Sequence, residues 1–299
     1  MKIYLSVPRG FCAGVDRAIH VVELALKKFG APIYVKHQIV HNPHVVKSLE
    51  NKGAVTVDDV DDIPSGSNVI FSAHGSPPTD FDKAKVRKLN VIDATCPLVT
   101  KVHNEAHKYT NQGRKILLIG HDGHQEVKGT MGQADITLVD DRGDPSLPDW
   151  DPASPVTVLT QTTLSVDDTD KTIEVINDRF SDVVVRNDLC YATTNRQHAV
   201  KELCGKVDLV LVIGSDNSSN CIRLREVAES NGVPAYLVNG PNEINNQWFS
   251  EARKIGITSG ASTPESLVQS VINYLNPEEV IELAGAEENI KFNLPLELN

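Results

Sequence analysis

The sequence predicts an α/β protein built from three similar domains with mostly parallel sheets. Two observations support this prediction. Short apolar runs alternate with stretches of helical periodicity, which is typical of parallel sheets covered by helices on both faces. In addition, a cysteine follows an apolar run and precedes a helical stretch three times, at Cys12, Cys96 and Cys190. These cysteines are 84 and 94 residues apart (96 − 12 and 190 − 96), which is the size of a small domain.

The composition is that of an ordinary globular chain. Of 299 residues, 40% are hydrophobic and 23% are charged. The net charge of −11 disfavours a general binder of nucleic acid or membrane surfaces, and no apolar stretch approaches the roughly 20 residues that span a bilayer. Five cysteines without a C-x-x-C pair indicate neither a disulfide framework nor a zinc ribbon. We therefore expect a cytoplasmic protein without a signal peptide and without nucleic-acid or membrane partners.

The first domain is predicted over residues 1–88, with strands at 3–5, 32–39 and 68–71. The first strand leads to Cys12 and to a helix that ends at Gly30. The second strand leads to V-H-N-P-H, which contains His41. The third leads to S-A-H-G-S-P-P, which contains His74.

The second domain is predicted over residues 89–181, with strands ending at 92, 119, 139 and 159. Cys96 follows the first strand, and Pro97 favours a helix start because its missing N–H would have no partner there. The loop G-H-D-G-H-Q-E, with His124 and Glu126, follows the second strand. T-Q-T-T-L-S follows the last strand and leads to a predicted helix.

The third domain is predicted over residues 182–275, and residues 276–299 are expected to be a tail with a candidate strand at 290–294. Cys190 follows its first strand, and the polar loops G-S-D-N-S-S-N and S-G-A-S-T-P-E follow later strands. Ligands of open α/β sheets bind beyond the carboxyl ends of the strands, where all these loops are expected. A pseudo-threefold arrangement of the domains would therefore turn the loops toward a common centre.

The three repeated cysteines are candidate metal ligands. Each is predicted at a helix N-terminus, where the positive end of the helix dipole favours the thiolate. Three thiolates without a fourth leave one iron of a cubane iron–sulfur cluster open as a Lewis acid. Glu126, which alone is an ordinary first-turn helix glutamate, would be the natural proton donor beside such an iron. Cys204 and Cys221 lack the repeated position and are expected to be core residues.

Other loop residues indicate an anion site. His41, His74 and His124 each follow a strand end, and imidazolium binds phosphate. Further candidates lie in loops that open helices, at Ser218, Ser219, Asn220 and Ser262. Ordinary N-capping explains any one of this second set equally well, and His44 and His121 are expected to take no part. Because no Walker A loop is present in the sequence, a diphosphate fits better than a nucleoside triphosphate.

Eight segments of the sequence resemble a known family. They are P-R-G-F-C-A-G-V (8–15), V-H-N (40–42), S-A-H-G (72–75), D-A-T-C-P-L-V (93–99), G-H-x-G-H-x-E (120–126), T-Q-T-T-L-S-V-D-D-T (160–169), C-Y-A-T-T-N-R-Q (190–197) and N-S-S-N (217–220). With these segments the chain resembles the 4-hydroxy-3-methylbut-2-enyl diphosphate reductases, which catalyse the last step of the non-mevalonate isoprenoid pathway. The resemblance extends from the N-terminus to the tail.

This resemblance implies an oxidoreductase with a trefoil of three α/β domains around one [4Fe–4S] cluster held by Cys12, Cys96 and Cys190. It implies that the substrate's allylic hydroxyl binds the open iron. The reduction then uses two protons and two electrons, and the electrons come from an external donor such as ferredoxin or flavodoxin. It releases water and gives isopentenyl or dimethylallyl diphosphate. Glu126, with Thr162 nearby, would supply protons. The diphosphate would be held by His41, His74, His124, Ser218, Ser219, Asn220 and Ser262.

Two other functions are compatible with one cysteine in each of three domains. A quinolinate synthase also has this arrangement, but its substrates are small carboxylates and it condenses them rather than reducing them. A non-catalytic iron–sulfur sensor or electron carrier would need no pocket of histidine and serine for an anion. The polar loops therefore favour the reductase.

Overall fold

The structure, a computed structural model, describes residues 1–298, which form thirteen strands and nine α-helices. The strands are β1 (Lys2–Leu5), β2 (Ile33–Lys36), β3 (Ala54–Val57), β4 (Asn68–Phe71), β5 (Asn90–Asp93), β6 (Lys115–Ile119), β7 (Ile136–Val139), β8 (Pro155–Thr160), β9 (Asp182–Val185), β10 (Leu209–Ile213), β11 (Ala235–Val238), β12 (Lys254–Ser259) and β13 (Glu279–Glu282). The helices are α1 (Ala13–Phe29), α2 (Pro43–Glu50), α3 (Pro78–Val86), α4 (Pro97–Asn111), α5 (Gln125–Met131), α6 (Val166–Arg179), α7 (Tyr191–Cys204), α8 (Ser219–Ser230) and α9 (Glu265–Leu275). None of these helices combines the length and the apolar character needed to cross a membrane.

The strands form three sheets, and every strand pair in residues 1–298 is parallel. Sheet I has the order β3-β2-β4-β5, sheet II has β7-β6-β8-β9, and sheet III has β11-β10-β12-β1-β13. The first four strands of each sheet, counted from β3, β7 and β11, follow one pattern. The fourth position is taken by β5 in sheet I, by β9 in sheet II and by β1 in sheet III. This repetition confirms the predicted α/β class with three similar parallel-sheet units.

The central strands are apolar because helices cover both faces of the sheet. In sheet III, alternate side chains of β10 enter two different cores. Leu209, Leu211 and Ile213 pack with residues of α9, and Val210 and Val212 pack with residues of α8. All five β10 residues are buried. Burial on both faces explains why β10 is an unbroken apolar run rather than an alternating one.

Sheet membership differs from the division of the chain into domains at residues 89 and 182. Strand β5 pairs with β4, and β9 pairs with β8, so each of these strands completes the preceding sheet. The described residues also separate into two compact units. The first comprises Met1–Asp16, His41–Val45 and Tyr191–Lys291 and contains sheet III; the second comprises the rest and contains sheets I and II. The three-domain division stays a prediction.

The tail contains a strand at a different place from the candidate at 290–294, where the structure has none. Strand β13 instead pairs with the outer edge of β1. Val280 in β13 is 44% exposed, so this segment lacks the apolar pattern of a buried strand and was not predicted. Asn299, the last residue of the predicted tail, lies outside the described residues.

Candidate functional site

Three cysteines occupy the same place relative to their sheets. Cys12 directly precedes α1, Cys96 is the N-cap residue of α4, and Cys190 directly precedes α7. The strands before them are β1, β5 and β9, which hold equivalent positions in the three sheets. All three side chains are partly exposed. The structure therefore confirms that each cysteine lies where a strand leads into a helix.

One backbone hydrogen bond is repeated at all three cysteines. In each case the cysteine N–H donates to a carbonyl in the polar loop that follows the neighbouring strand. The acceptors are Ala261 for Cys12 (N–O 3.2 Å), Ala73 for Cys96 (3.0 Å) and Thr162 for Cys190 (3.1 Å). Each cysteine is thus attached to the Ser/Thr- or His-bearing loop of its own sheet, a pairing that the order of motifs along the chain did not predict.

The other two cysteines have different surroundings. Cys221 is buried in α8, and its Sγ fills the space beside Gly214 and Gly260, where a Cβ would come within 2.3 and 2.2 Å of the sulfur. Burial raises the pKa of the Cys221 thiol and also that of Cys204 near the end of α7. Both thiols therefore resist ionisation. Cys221 is a core residue as expected, whereas Cys204 is only partly buried and packs against the edge of that core.

Glu126 lies in the first turn of α5 and is only 4% exposed. The backbone N–H of Thr162 donates to Glu126 Oε1 (2.6 Å), and the Thr162 hydroxyl donates to Oε2 (3.0 Å). Burial raises the pKa of Glu126 to about 7; the bonds from Thr162 oppose this shift, and the nearby Asp188 carboxyl adds to it. A carboxyl that is about half protonated near neutral pH is suited to general acid catalysis.

Asp188 is a residue that the sequence analysis missed. Its side chain is buried, and Lys101 Nζ lies 2.9 Å from its Oδ1. It affects Glu126 although the two residues are distant in sequence, so no local pattern could have identified it.

The histidines after β4 and β6 lie close together. The ring centroids of His74 and His124 are 6.1 Å apart. The Nδ1 atom of His124 accepts the Glu126 N–H (3.2 Å), which leaves Nε2 as the ring nitrogen that can donate to a ligand. The role of His124 in binding phosphate stays a prediction.

Two glycines allow this approach of α5 to the loop after β4. A Cβ on Gly129 would lie 2.9 Å from the Gly75 carbonyl oxygen, and a Cβ on Gly132 would lie 2.4 Å from the Pro77 side chain. Only a helix surface without side chains at these positions can contact the loop backbone so closely. The contact sets the spacing between the loop that carries His74 and the helix that follows His124.

Other predicted site residues lie in the first compact unit. The Ser262 hydroxyl donates to the His41 carbonyl oxygen (3.0 Å), and Asn220 Oδ1 accepts the Ala261 N–H (3.1 Å). Asn220 Nδ2 is buried and has no hydrogen-bond partner in the described residues. This donor, at the positive N-terminus of α8, is suited to an anionic oxygen.

Some of these residues have a structural role at the N-terminus of α8. Ser218 is the N-cap of α8 and accepts the Cys221 N–H (3.5 Å), while Ser219 and Asn220 begin the helix. Ser218 therefore caps α8, which is the ordinary role that the sequence also allowed.

His44 and His121, which were expected to take no part, have structural contacts. A ring nitrogen of His44 lies 2.9 Å from the Asn239 carbonyl oxygen, and His121 Nε2 lies 2.7 Å from Asp141 Oδ1. Of the predicted site residues, the structure brings together Glu126 with Thr162, His74 with His124, and His41 with Ser262.

The chain is similar to known proteins over its whole length. The model of the LytB protein family matches residues 3–276. The 4-hydroxy-3-methylbut-2-enyl diphosphate reductase of Burkholderia pseudomallei is 50% identical over 305 aligned residues, covering 100% of this chain and 97% of the relative. The reductase of the same name from Hahella chejuensis is 52% identical over 309 aligned residues, with coverage of 100% and 98%.

A solved structure agrees with these matches. The E-1-hydroxy-2-methyl-but-2-enyl-4-diphosphate reductase of Plasmodium falciparum has a TM-score of 0.94 and 40% sequence identity, covering 99% of this chain and 96% of its own. The resemblance inferred from the eight sequence segments is confirmed. With full-length identity of about half to curated reductases, this chain belongs to the LytB protein family.

Proposed function

We propose that this chain catalyses, in the cytoplasm, the reductive dehydroxylation of 4-hydroxy-3-methylbut-2-enyl diphosphate to isopentenyl diphosphate and dimethylallyl diphosphate, the last step of the non-mevalonate pathway. The observation that carries the proposal is the cysteine junction that occurs three times with the same backbone hydrogen bond. Membership of the family supports the choice of substrate, because the compared relatives carry the name of this reductase.

Cys12, Cys96 and Cys190 would hold one [4Fe–4S] cluster. The donor chemistry fits, because thiolates are the usual ligands of such clusters and each of these thiols is partly exposed at a helix N-terminus. When bound, the cluster would supply electrons received from a donor such as ferredoxin or flavodoxin, and an open iron to polarise the substrate hydroxyl. Cys204 and Cys221, whose thiols resist ionisation, would take no part.

The diphosphate would be bound by histidine, serine and asparagine side chains. Two donors support this role: the Nε2–H of His124 and the buried Nδ2 of Asn220 at the start of α8. The full proposed set is His41, His74, His124, Ser218, Ser219, Asn220 and Ser262.

Glu126 would protonate the leaving hydroxyl. The reaction consumes two electrons and two protons; one proton leaves with the hydroxyl as water, and the other is added to carbon. Hydroxide is a poor leaving group, so its oxygen needs a proton as the C–O bond breaks. A buried carboxyl with a pKa of about 7 carries such a proton in about half of the molecules at neutral pH. Thr162 would orient this carboxyl through its two hydrogen bonds and relay protons through its hydroxyl.

The proposal is tested by supplying anaerobically purified protein with a chemical reductant and 4-hydroxy-3-methylbut-2-enyl diphosphate. We expect both isoprenoid diphosphates to form, with parent-like rates in the matched control Cys204→Ser and no product in Cys96→Ser. An iron–sulfur carrier would be reduced without consuming the diphosphate. Iron-containing, reducible protein that leaves the diphosphate unchanged would therefore refute the proposed activity.

A further inference from the structure

Arg196 on α7 is the largest side chain that the described part of the chain buries completely. Its Nη1 donates to the Ala192 carbonyl oxygen (3.0 Å), and its Nη2 donates to the Gly10 carbonyl oxygen (2.8 Å). Nη1 also lies 2.9 and 3.2 Å from the two carboxylate oxygens of Glu288 in the tail. Burying a guanidinium is costly unless it is paired and hydrogen-bonded, and Glu288 supplies the paired charge, although Arg196 Nε has no hydrogen-bond partner in the described residues.

The Gly10 contact is significant because Gly10 is two residues before Cys12. Gly10 has a φ of +74°, and its N–H donates to Ser259 Oγ (2.9 Å) while its carbonyl accepts from Arg196. On the other side of Cys12, the Ala13 N–H donates to Tyr191 Oη at the start of α7 (3.1 Å). Helix α7 thus holds the loop that presents Cys12 at a point before the cysteine and a point after it.

The tail reaches Arg196 by running along the start of the same loop. The Leu283 N–H donates to the Leu5 carbonyl oxygen (3.0 Å). Gly285 then lies against the backbone of Val7, where a Cβ would come within 1.8 Å of the Val7 carbonyl oxygen. Further on, Glu288 also accepts from Asn195 Nδ2 (3.2 Å). The residues from Leu283 to Glu288 therefore run from the end of β1 past Val7 to the guanidinium.

We propose that Arg196 is the positioning residue for Cys12 and that Glu288 holds the Arg196 guanidinium against the Gly10 carbonyl. This inference rests on the proposed function, in which Cys12 is a cluster ligand. Loss of the Glu288 carboxylate frees the guanidinium to turn away, which releases the Gly10 carbonyl and loosens the segment that carries the thiol. Glu288 lies beyond residues 3–276, the part matched by the family model, so the tail would contribute to the site from outside that region.

The experiment uses the anaerobically purified holoprotein with the variants Glu288→Ala and Glu288→Gln. The matched control is Glu287→Ala, which removes an exposed carboxylate from the adjacent position. Three quantities are measured: the rate of iron release to a chelator, the electron paramagnetic resonance spectrum of the reduced cluster, and amide hydrogen exchange. Because a charged hydrogen bond is lost, we expect iron release to be about tenfold or more faster in Glu288→Ala. We also expect a changed spectrum and faster exchange at residues 10–13.

Exchange in β10 is expected to stay at the parent level, which separates local loosening from general destabilisation. Glu287→Ala should match the parent, and Glu288→Gln should be intermediate because the amide oxygen still accepts from Arg196. If Glu288→Ala fails to fold, Glu288→Gln decides the question by the same measurements. Parent-like exchange at residues 10–13, or exchange that rises equally in β10, would overturn the inference. A parent protein that holds no iron would instead refute the proposed function, while the exchange data would still test the role of Glu288.

Discussion

Replacing Glu126 with Gln should stabilise the folded protein increasingly as the pH rises above 5. Gln has nearly the same shape, and it can keep both contacts with Thr162: its oxygen accepts the backbone N–H, and its NH₂ donates to the hydroxyl oxygen. The substitution therefore removes one property, the ability of a buried carboxyl to ionise.

The size of the effect follows from the pKa of Glu126. Burial raises this pKa from 4.5 to about 7. Below pH 4.5 both the folded and the unfolded chain carry the proton, so ionisation costs nothing. Between pH 4.5 and 7 the unfolded chain releases the proton while the folded chain retains it, so stability is lost as the pH rises. At about 1.4 kcal/mol for each pKa unit, the loss approaches about 3 kcal/mol above pH 7.

The assay is urea unfolding of the parent and Glu126→Gln at several pH values from 5 to 8, under anaerobic conditions. The difference between the two proteins at each pH cancels the contributions of other titrating groups. Glu174→Gln, on the exposed face of α6, is the matched control and should show no such trend. If the stability difference between Glu126→Gln and the parent is constant over this range, burial does not raise the pKa of the Glu126 carboxyl. The argument for a general acid then fails.

Three further outcomes concern the proposed chemistry. Cys96→Ser should lose iron and the visible absorbance of the cluster while Cys204→Ser keeps both, and normal iron content in Cys96→Ser would contradict the ligand assignment. His74→Asn should weaken diphosphate binding, measured by calorimetry, by about 1.5–3 kcal/mol with the cluster intact; cluster loss as the main effect would show that His74 has another role. Glu126→Gln should bind substrate normally but slow single-turnover dehydroxylation by about 10²–10⁴-fold. A parent-like rate would mean that the proton comes from another group.

The parts of the site that could be predicted from the sequence are those encoded by neighbouring residues. An apolar run followed by a cysteine and a helical pattern is a local signal, and Pro97 marks the start of α4 directly. The capping role of Ser218 is also local and was one of the alternatives considered. For the same reason, the α/β class could be recognised from the alternation of strands and helices.

The remaining features depend on contacts between distant residues. The pKa of Glu126 is raised by burial and by Asp188, neither of which is visible in the residues around it. The use of His124 Nδ1 as a hydrogen-bond acceptor is set by the Glu126 N–H at the start of α5. Strand β13 is identified by its pairing with β1 and not by its own composition. Such features are set by tertiary packing, so a pattern along the chain does not contain them.

The position of β1 has a consequence for biosynthesis. In the described residues β1 pairs only with β12 and β13, so Lys2 is aligned with Lys254 and Glu279. The aligned residues Lys2 and Lys254 are 252 positions apart in sequence (254 − 2), so β1 is synthesised long before β12 is available to pair with it. Until then, the backbone N–H and C=O groups along both edges of β1 have no strand partners, and the loop that carries Cys12 has neither Ala261 nor Ser259 to hold it. A chain stalled before β12 therefore lacks the hydrogen bonds that hold this loop in the folded protein.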